Sequence, residues 1–240
     1  MAADKFGTKI GGLIAGLPST LLFGLFFIAW TQSPETAIKA TVVVPIMNGA
    51  SALFLVTYAA LVKKGLGKAL FLALTLWGAC AYLLVLTKFD NFKIALWIYP
   101  LILAVAYYLF EFKLQIRSVL GKKIKYSGKQ IFLRGAISGF IISLSVFLGK
   151  VGGPILGGIL AMFPAMFSST MIITYLVHGA DFSAATAKSI VLGSMSIVVY
   201  ALAVRYTYIP YGIISGTLIS MASALLSGYL IYRFIITKII

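Results

Sequence analysis

Long apolar runs, each closed by a short polar or glycine- and proline-containing stretch, dominate the pattern along this chain. Eight runs are read, at about 10–30, 37–62, 69–87, 94–111, 131–149, 153–177, 186–204 and 211–232. At about 1.5 Å rise per residue, runs of about 18 to 26 residues match a hydrocarbon core about 30 Å thick. A transmembrane barrel would instead show shorter, strictly alternating strands. In lipid each span must satisfy its own backbone hydrogen bonds, so the runs are expected to be helices. The fold class is therefore an all-α polytopic membrane protein of about eight transmembrane helices, forming one membrane domain over 1–240. The fourth and fifth runs are short and are expected to lie obliquely or to pack centrally.

The breaks carry turn chemistry. "TQSPET" (31–36) holds a proline among polar residues, "KKGLGK" (63–68) is glycine-rich and basic, and "KFDNFK" (88–93) is a polar turn. "LQIRSVLGKKIKYSGKQ" (114–130) is the longest polar stretch, with room for a short amphipathic surface helix. "HGADFS" (178–183) is expected to end one helix at Gly179 and to offer Asp181 or Ser183 as the next N-cap.

Composition agrees with this reading. The chain is 61% hydrophobic and 10% charged, against about half apolar and a quarter charged in soluble domains. A net charge of +15 would suggest nucleic acid in a soluble protein. Here the basic residues sit between or at the ends of apolar runs, so no nucleic-acid partner is expected. They point to topology and to anionic head groups near residues 113–129. With the N-terminus inside, Lys5, Lys9, Lys63, Lys64, Lys68, Lys113, Arg117, Lys122, Lys123, Lys125, Lys129, Lys188, Arg233 and Lys238 are cytoplasmic. Only Lys39, Lys88, Lys93, Lys150 and Arg205 are outside. The positive-inside rule then places both termini in the cytoplasm of a multi-pass cell (inner or plasma) membrane protein. "MAADKFGTK" leads straight into the first run with no small-residue cleavage site, so that helix is expected to remain. The lone Cys80 reads as a small core residue.

Two stretches are near-copies. "IGGLIAGLPSTLLFGLFFIAW" (10–30) aligns with "LGGILAMFPAMFSSTMIITYL" (156–176), matching Gly11 to Gly157, Gly12 to Gly158, Ala15 to Ala161 and Pro18 to Pro164. After a loop three residues longer in the second copy, "AIKATVV" (37–43) aligns with "TAKSIVL" (186–192), matching Lys39 to Lys188. The copies begin at spans one and six, an odd offset that implies opposite orientations. The chain thus reads as repeat 1 (8–88), bridging helices (89–150) with a basic cytoplasmic loop (113–130), and repeat 2 (151–240). Inverted repeats with interrupted helices recur in secondary transporters, whose sites lie near the midplane.

Each proline lies about eight residues, or about 12 Å, into its helix. It removes a backbone donor and frees a carbonyl one turn earlier, which needs another partner or a polar cavity. The glycine pairs allow close backbone approach. Candidate pathway residues are Gly11, Gly12, Pro18, Ser19, Asn48, Gly157, Gly158, Pro164, Ser168 and Ser169, with Thr20, Thr170 and Thr174 nearby. The hydroxyls either bind solute or satisfy the kinks. Asn48 and Ser51, after Pro45, mark span two as interrupted too; "GSMS" (193–196) is the matching stretch in span seven. Lys39 and Lys188, placed in the first turns of spans two and seven, oppose the helix dipole there. They read as anion-attracting groups or as snorkelling lysines.

All five acids (Asp4, Glu35, Asp90, Glu111 and Asp181) fall at or near run ends, which argues against a carboxylate proton relay. There is no histidine–acid cluster, paired membrane aspartate, P-loop or GxSxG elbow, so neither enzyme activity, metal nor cofactor is expected.

On "GGILAMFPAMF", "HGADF" and "AKSIVLGSMSIVVYAL", roughly 131–235 resembles the GlpM family of small four-helix inner-membrane proteins and related uncharacterised families. The N-terminal half departs from it: Leu17-Pro18 replaces Phe-Pro, and the helix order differs. The resemblance implies a compact helical membrane protein and supplies no substrate. The functional expectation is a small transporter or channel-like permease for a small anionic or neutral polar solute. The alternatives are a non-transporting scaffold or complex subunit, self-association included, and a lipid-handling protein.

Overall fold

The computed structural model describes residue 8, residues 11–117 and residues 128–236. Lys5, Lys9, Lys238 and most of the basic loop lie outside the described residues.

The described chain is helical, with no strand. After a short helix α1 (residues 11–15) come α2 (Ser19–Thr31), α3 (Pro34–Ala40), a 3₁₀ turn (Thr41–Val43) and α4 (Val44–Leu61). Then follow α5 (Leu66–Leu86), α6 (Phe92–Tyr108), a π turn (Leu109–Lys113), α7 (Gly128–Gly152), α8 (Pro154–Ala161), α9 (Ala165–Gly193) and α10 (Met195–Ile231). The polar breaks start helices as their residues dictate. Ser33 accepts the Thr36 amide at 3.2 Å ahead of Pro34, and Asn91 accepts the Ile94 amide at 3.0 Å.

Among the described residues, six helical runs are long and apolar enough to cross a membrane: Gly11–Thr31, Pro34–Lys64, Leu66–Leu86, Phe92–Lys113, Gly135–Gly152 and Pro154–Phe234. The last, 81 residues long, is not straight. It turns at Gly179 (φ 84°) and Gly212 (φ 74°), positive-φ positions that suit glycine. Side chains nine residues apart meet across each turn, Thr174 with Ser183 at 3.0 Å and Tyr208 with Thr217 at 3.0 Å. Nine residues of straight helix would hold such groups about 13 Å apart, so the chain folds back at both glycines.

Two expectations are corrected here. Asp181 and Ser183 do not cap the helix after Gly179. Asp181 pairs with Lys63 at 2.8 Å, and Ser183, fully buried, bonds the Tyr58 hydroxyl at 2.7 Å and the Met171 carbonyl at 3.1 Å. A buried hydroxyl takes the tertiary partner that satisfies it. The fourth and fifth runs do not pack centrally: only 22% and 17% of their apolar windows are buried, against 83% for Pro34–Lys64. Their membrane faces carry large apolar groups such as Trp97 and Phe140, suited to lipid.

Candidate functional site: two proline breaks around one cavity

The duplicated prolines sit in breaks of the same geometry. Pro18 has φ −75° and ψ 44°; Pro164 has φ −78° and ψ 43°. In the first, the Ser19 amide donates to the Leu17 carbonyl at 2.8 Å; in the second, Ala165 donates to Phe163 at 2.8 Å. These tight turns centre on a residue that lacks an N–H and prefers this φ. The helix restarts identically, with Leu22 donating to Pro18 and Ser168 to Pro164, each at 2.8 Å.

The two breaks face each other. A cavity whose water-accessible volume is about 20 Å³ lies between them, lined by Ala15, Leu17, Ser19, Thr20 and Leu21 from one and by Met162, Phe163, Pro164, Met166 and Phe167 from the other, with Ile197. That is room for one or two waters. The first turns of α2 and α9 both open on it, so the positive ends of two helices converge there. The spent carbonyl ends of α1 and α8 reach the same place.

The glycines set this approach. A side chain on Gly12 would strike Ser189 and lie 2.9 Å from the Ile190 nitrogen; one on Gly158 would strike the Ala40 carbonyl and lie 2.9 Å from Val43 Cγ2. In the alignment Gly12 matches Gly158 and Ala40 matches Ser189. Each short helix before a break thus lies backbone-to-backbone on the segment aligned with its partner's. Gly16 continues the first contact, 2.6 Å from the Gly193 carbonyl carbon when given a Cβ. Gly157 packs on Gly149, with a Cβ 2.9 Å from its Cα, and Gly11 is buried.

Asn48 lies elsewhere on the same framework. It is fully buried, and its Nδ2 donates to the Ser194 carbonyl at 2.9 Å and to the Tyr99 hydroxyl at 3.0 Å. Its Oδ1 has no hydrogen-bond partner among the described residues. Asn48 and Ser51, read as marking an interruption of span two, lie inside the continuous helix α4; a 3₁₀ turn precedes it at Thr41–Val43, and Ser194 separates α9 from α10. Just after the second break, Ser169 and Thr170 both return their hydroxyls to the Met166 carbonyl inside α9, at 3.1 and 2.7 Å. Ser168 Oγ is buried without a hydrogen-bond partner among the described residues. Ser19 lines the cavity.

The lysines do not occupy helix N-termini. Lys39 is exposed in the last turn of α3, where a cation suits the dipole. Lys188 is 4% exposed and inside α9; its ammonium bonds Glu111 at 2.7 Å and the Ile116 carbonyl at 2.8 Å. Glu111, which the sequence places near a run end, is its counter-ion, and Tyr107 donates a hydroxyl bond to it at 3.3 Å. Arg205 is counted from the sequence among the outside basic residues. It donates to the Ile38 carbonyl at 3.0 Å and Thr41 Oγ1 at 2.8 Å, and lies over the Phe92 ring at 4.4 Å, closing the C-terminal end of α3. Among the described residues, no three His, Cys, Asp or Glu side chains gather into a metal-binding group.

The profile of one family, described as a protein of unknown function (DUF3147), matches residues 131–237. This span takes in α7 as well as both limbs of α9 and α10, and it is the half that resembles the GlpM family. The matched family is uncharacterised, and GlpM itself gains no support. No curated protein and no solved structure matches the chain.

Proposed function

We propose that this protein is a small secondary transporter or channel-like permease whose site is the cavity between the two proline breaks. The single observation that carries the proposal is the meeting of two breaks of the same backbone geometry around one polar-ended space. Taking the reversals at Gly179 and Gly212 as span ends supports a reading of eight spans. The breaks then fall on spans one and six, consistent with an inverted repeat of spans one to three and six to eight. In that topology both termini are cytoplasmic and the two broken helices enter from opposite faces.

Two helix N-termini and the hydroxyls of Ser19 and Thr20 favour a small anionic or neutral polar solute. The protein's part is binding and passage rather than bond-making chemistry. The cavity's small volume fits an occluded state, and it is also the observation that favours the second reading, a scaffold with a packing repeat. Proteoliposome swelling separates them. Liposomes carrying the protein should admit one or more members of a panel of small anions and neutral polar solutes faster than empty liposomes do. Ser19→Trp, which fills the cavity, should abolish the difference. Equal rates across the panel would favour the scaffold.

A further inference from the structure

Resting on the reading above, the geometry points to a lateral portal at Phe163 through which the solute arrives from the bilayer, so that the solute is a single-chain amphiphile with a small polar or anionic head. An apolar groove of about 510 Å³ runs along the membrane face between α7 and α8, lined by Ala136, Ile137, Phe140, Leu144 and Phe163 among others. Its size lies within the range of about 300–1,000 Å³ usual for ligand sites. Phe163 is also a wall of the cavity between the breaks, so one ring separates groove from cavity. The groove adjoins the proposed site across the Phe163 ring, and beyond that ring the cavity is lined by the first turns of α2 and α9, Ser19 and Thr20 included. A chain lying in the groove therefore puts its head group against the positive ends of α2 and α9. Lipid fills the groove in any case; what the juxtaposition adds is a polar destination for one end of the chain.

The ring has the setting a gate needs. Phe163 packs edge-on against Trp77 at 5.4 Å, and Trp77, 5% exposed, donates its indole N–H to Ser51 at 3.2 Å. One face of Phe163 is thus held by a fixed post, while groove and cavity lie on its other sides. Swinging it loses a ring contact and no hydrogen bond.

Trp77 reports on the portal. In the full chain carrying Trp30→Phe and Trp97→Phe, in nanodiscs, stearic acid with a nitroxide on a chain carbon close to its carboxylate should quench Trp77 with saturation. Half-quenching should come at a mole fraction about tenfold below that for lipid-exposed Trp97 in the matching single-tryptophan protein, the mark of a site rather than of bulk lipid. Dodecyl phosphate should compete and inorganic phosphate should not. Filling the exposed groove with Ala136→Phe, or with Leu144→Phe if the first variant does not fold, should remove the saturable component. Quenching that rises linearly with mole fraction and ignores the groove variants overturns the inference. Swelling activity with linear quenching would leave a transporter of tailless solutes. Loss of both would remove the transport reading as well.

Discussion

The Asn48 side chain donates to the Ser194 carbonyl at 2.9 Å, tying helix α4 of span two to the break between α9 and α10 in span seven. The contact joins segments 146 residues apart and spends the amide of a fully buried residue on a carbonyl beside a helix break, which also accepts the Ile197 amide at 3.0 Å. An interruption in a membrane helix persists only where its backbone groups find partners, and Asn48 adds a tertiary partner to the local Ile197 amide.

Asn48→Ala should therefore lower stability by about 1–3 kcal/mol, since it leaves the Ser194 carbonyl and the Tyr99 hydroxyl each short of a bond. Thermal unfolding in detergent measures it. Ser51→Ala, which removes only the acceptor of the Trp77 indole, should cost less. An unchanged midpoint for Asn48→Ala would contradict the bridging role.

Gly12 and Gly158 should tolerate no side chain. Gly158→Ala and Gly12→Ala drive a methyl group into the facing backbone or Cβ, and each should destabilise by about 1–3 kcal/mol. Gly139, with nothing within 4 Å of its added Cβ, is the internal standard: Gly139→Ala should be neutral or slightly stabilising. Similar midpoints for all three variants would contradict the close approach.

The two ion pairs should differ sharply. Glu111→Gln leaves Lys188, 4% exposed, without its counter-ion and should cost about 3–5 kcal/mol. Combining it with Lys188→Met should recover most of that loss. Lys63 and Asp181 pair at 2.8 Å but are 70% and 75% exposed, so Asp181→Asn should change stability by less than about 1 kcal/mol. Chemical unfolding of the four proteins tests the contrast.

How much of this was legible depended on range along the chain. The helices, the breaks at Ser33-Pro34 and Asn91, and the turn at Gly179 are local, and their residues state them. The aligned prolines announced two equivalent breaks because duplication is visible without a fold. That they face one another needed the packing of Gly24 beside Ala161, where an added Cβ would lie 2.8 Å from the alanine's Cβ. Lys188 misled because its apolar run seemed to begin at 186, whereas helix resumes directly after Gly179. Seen as a first-turn residue it suggested an exposed cation; seven residues deeper, it needed Glu111. Phe163 carried no signal of its own, since a phenylalanine in a membrane helix is ordinary until two spaces meet at its ring.

Thiol accessibility at the breaks tests the central claim most directly. In the Cys80→Ala protein, single cysteines at Ser19 and Met166 line the cavity, while one at Leu25, fully buried away from it, serves as the dry control. A small charged thiol reagent added from each side of sealed vesicles should label Ser19→Cys and Met166→Cys and leave Leu25→Cys untouched. Folded protein in which all three remain unlabelled from both sides would contradict a water-reached site between the prolines.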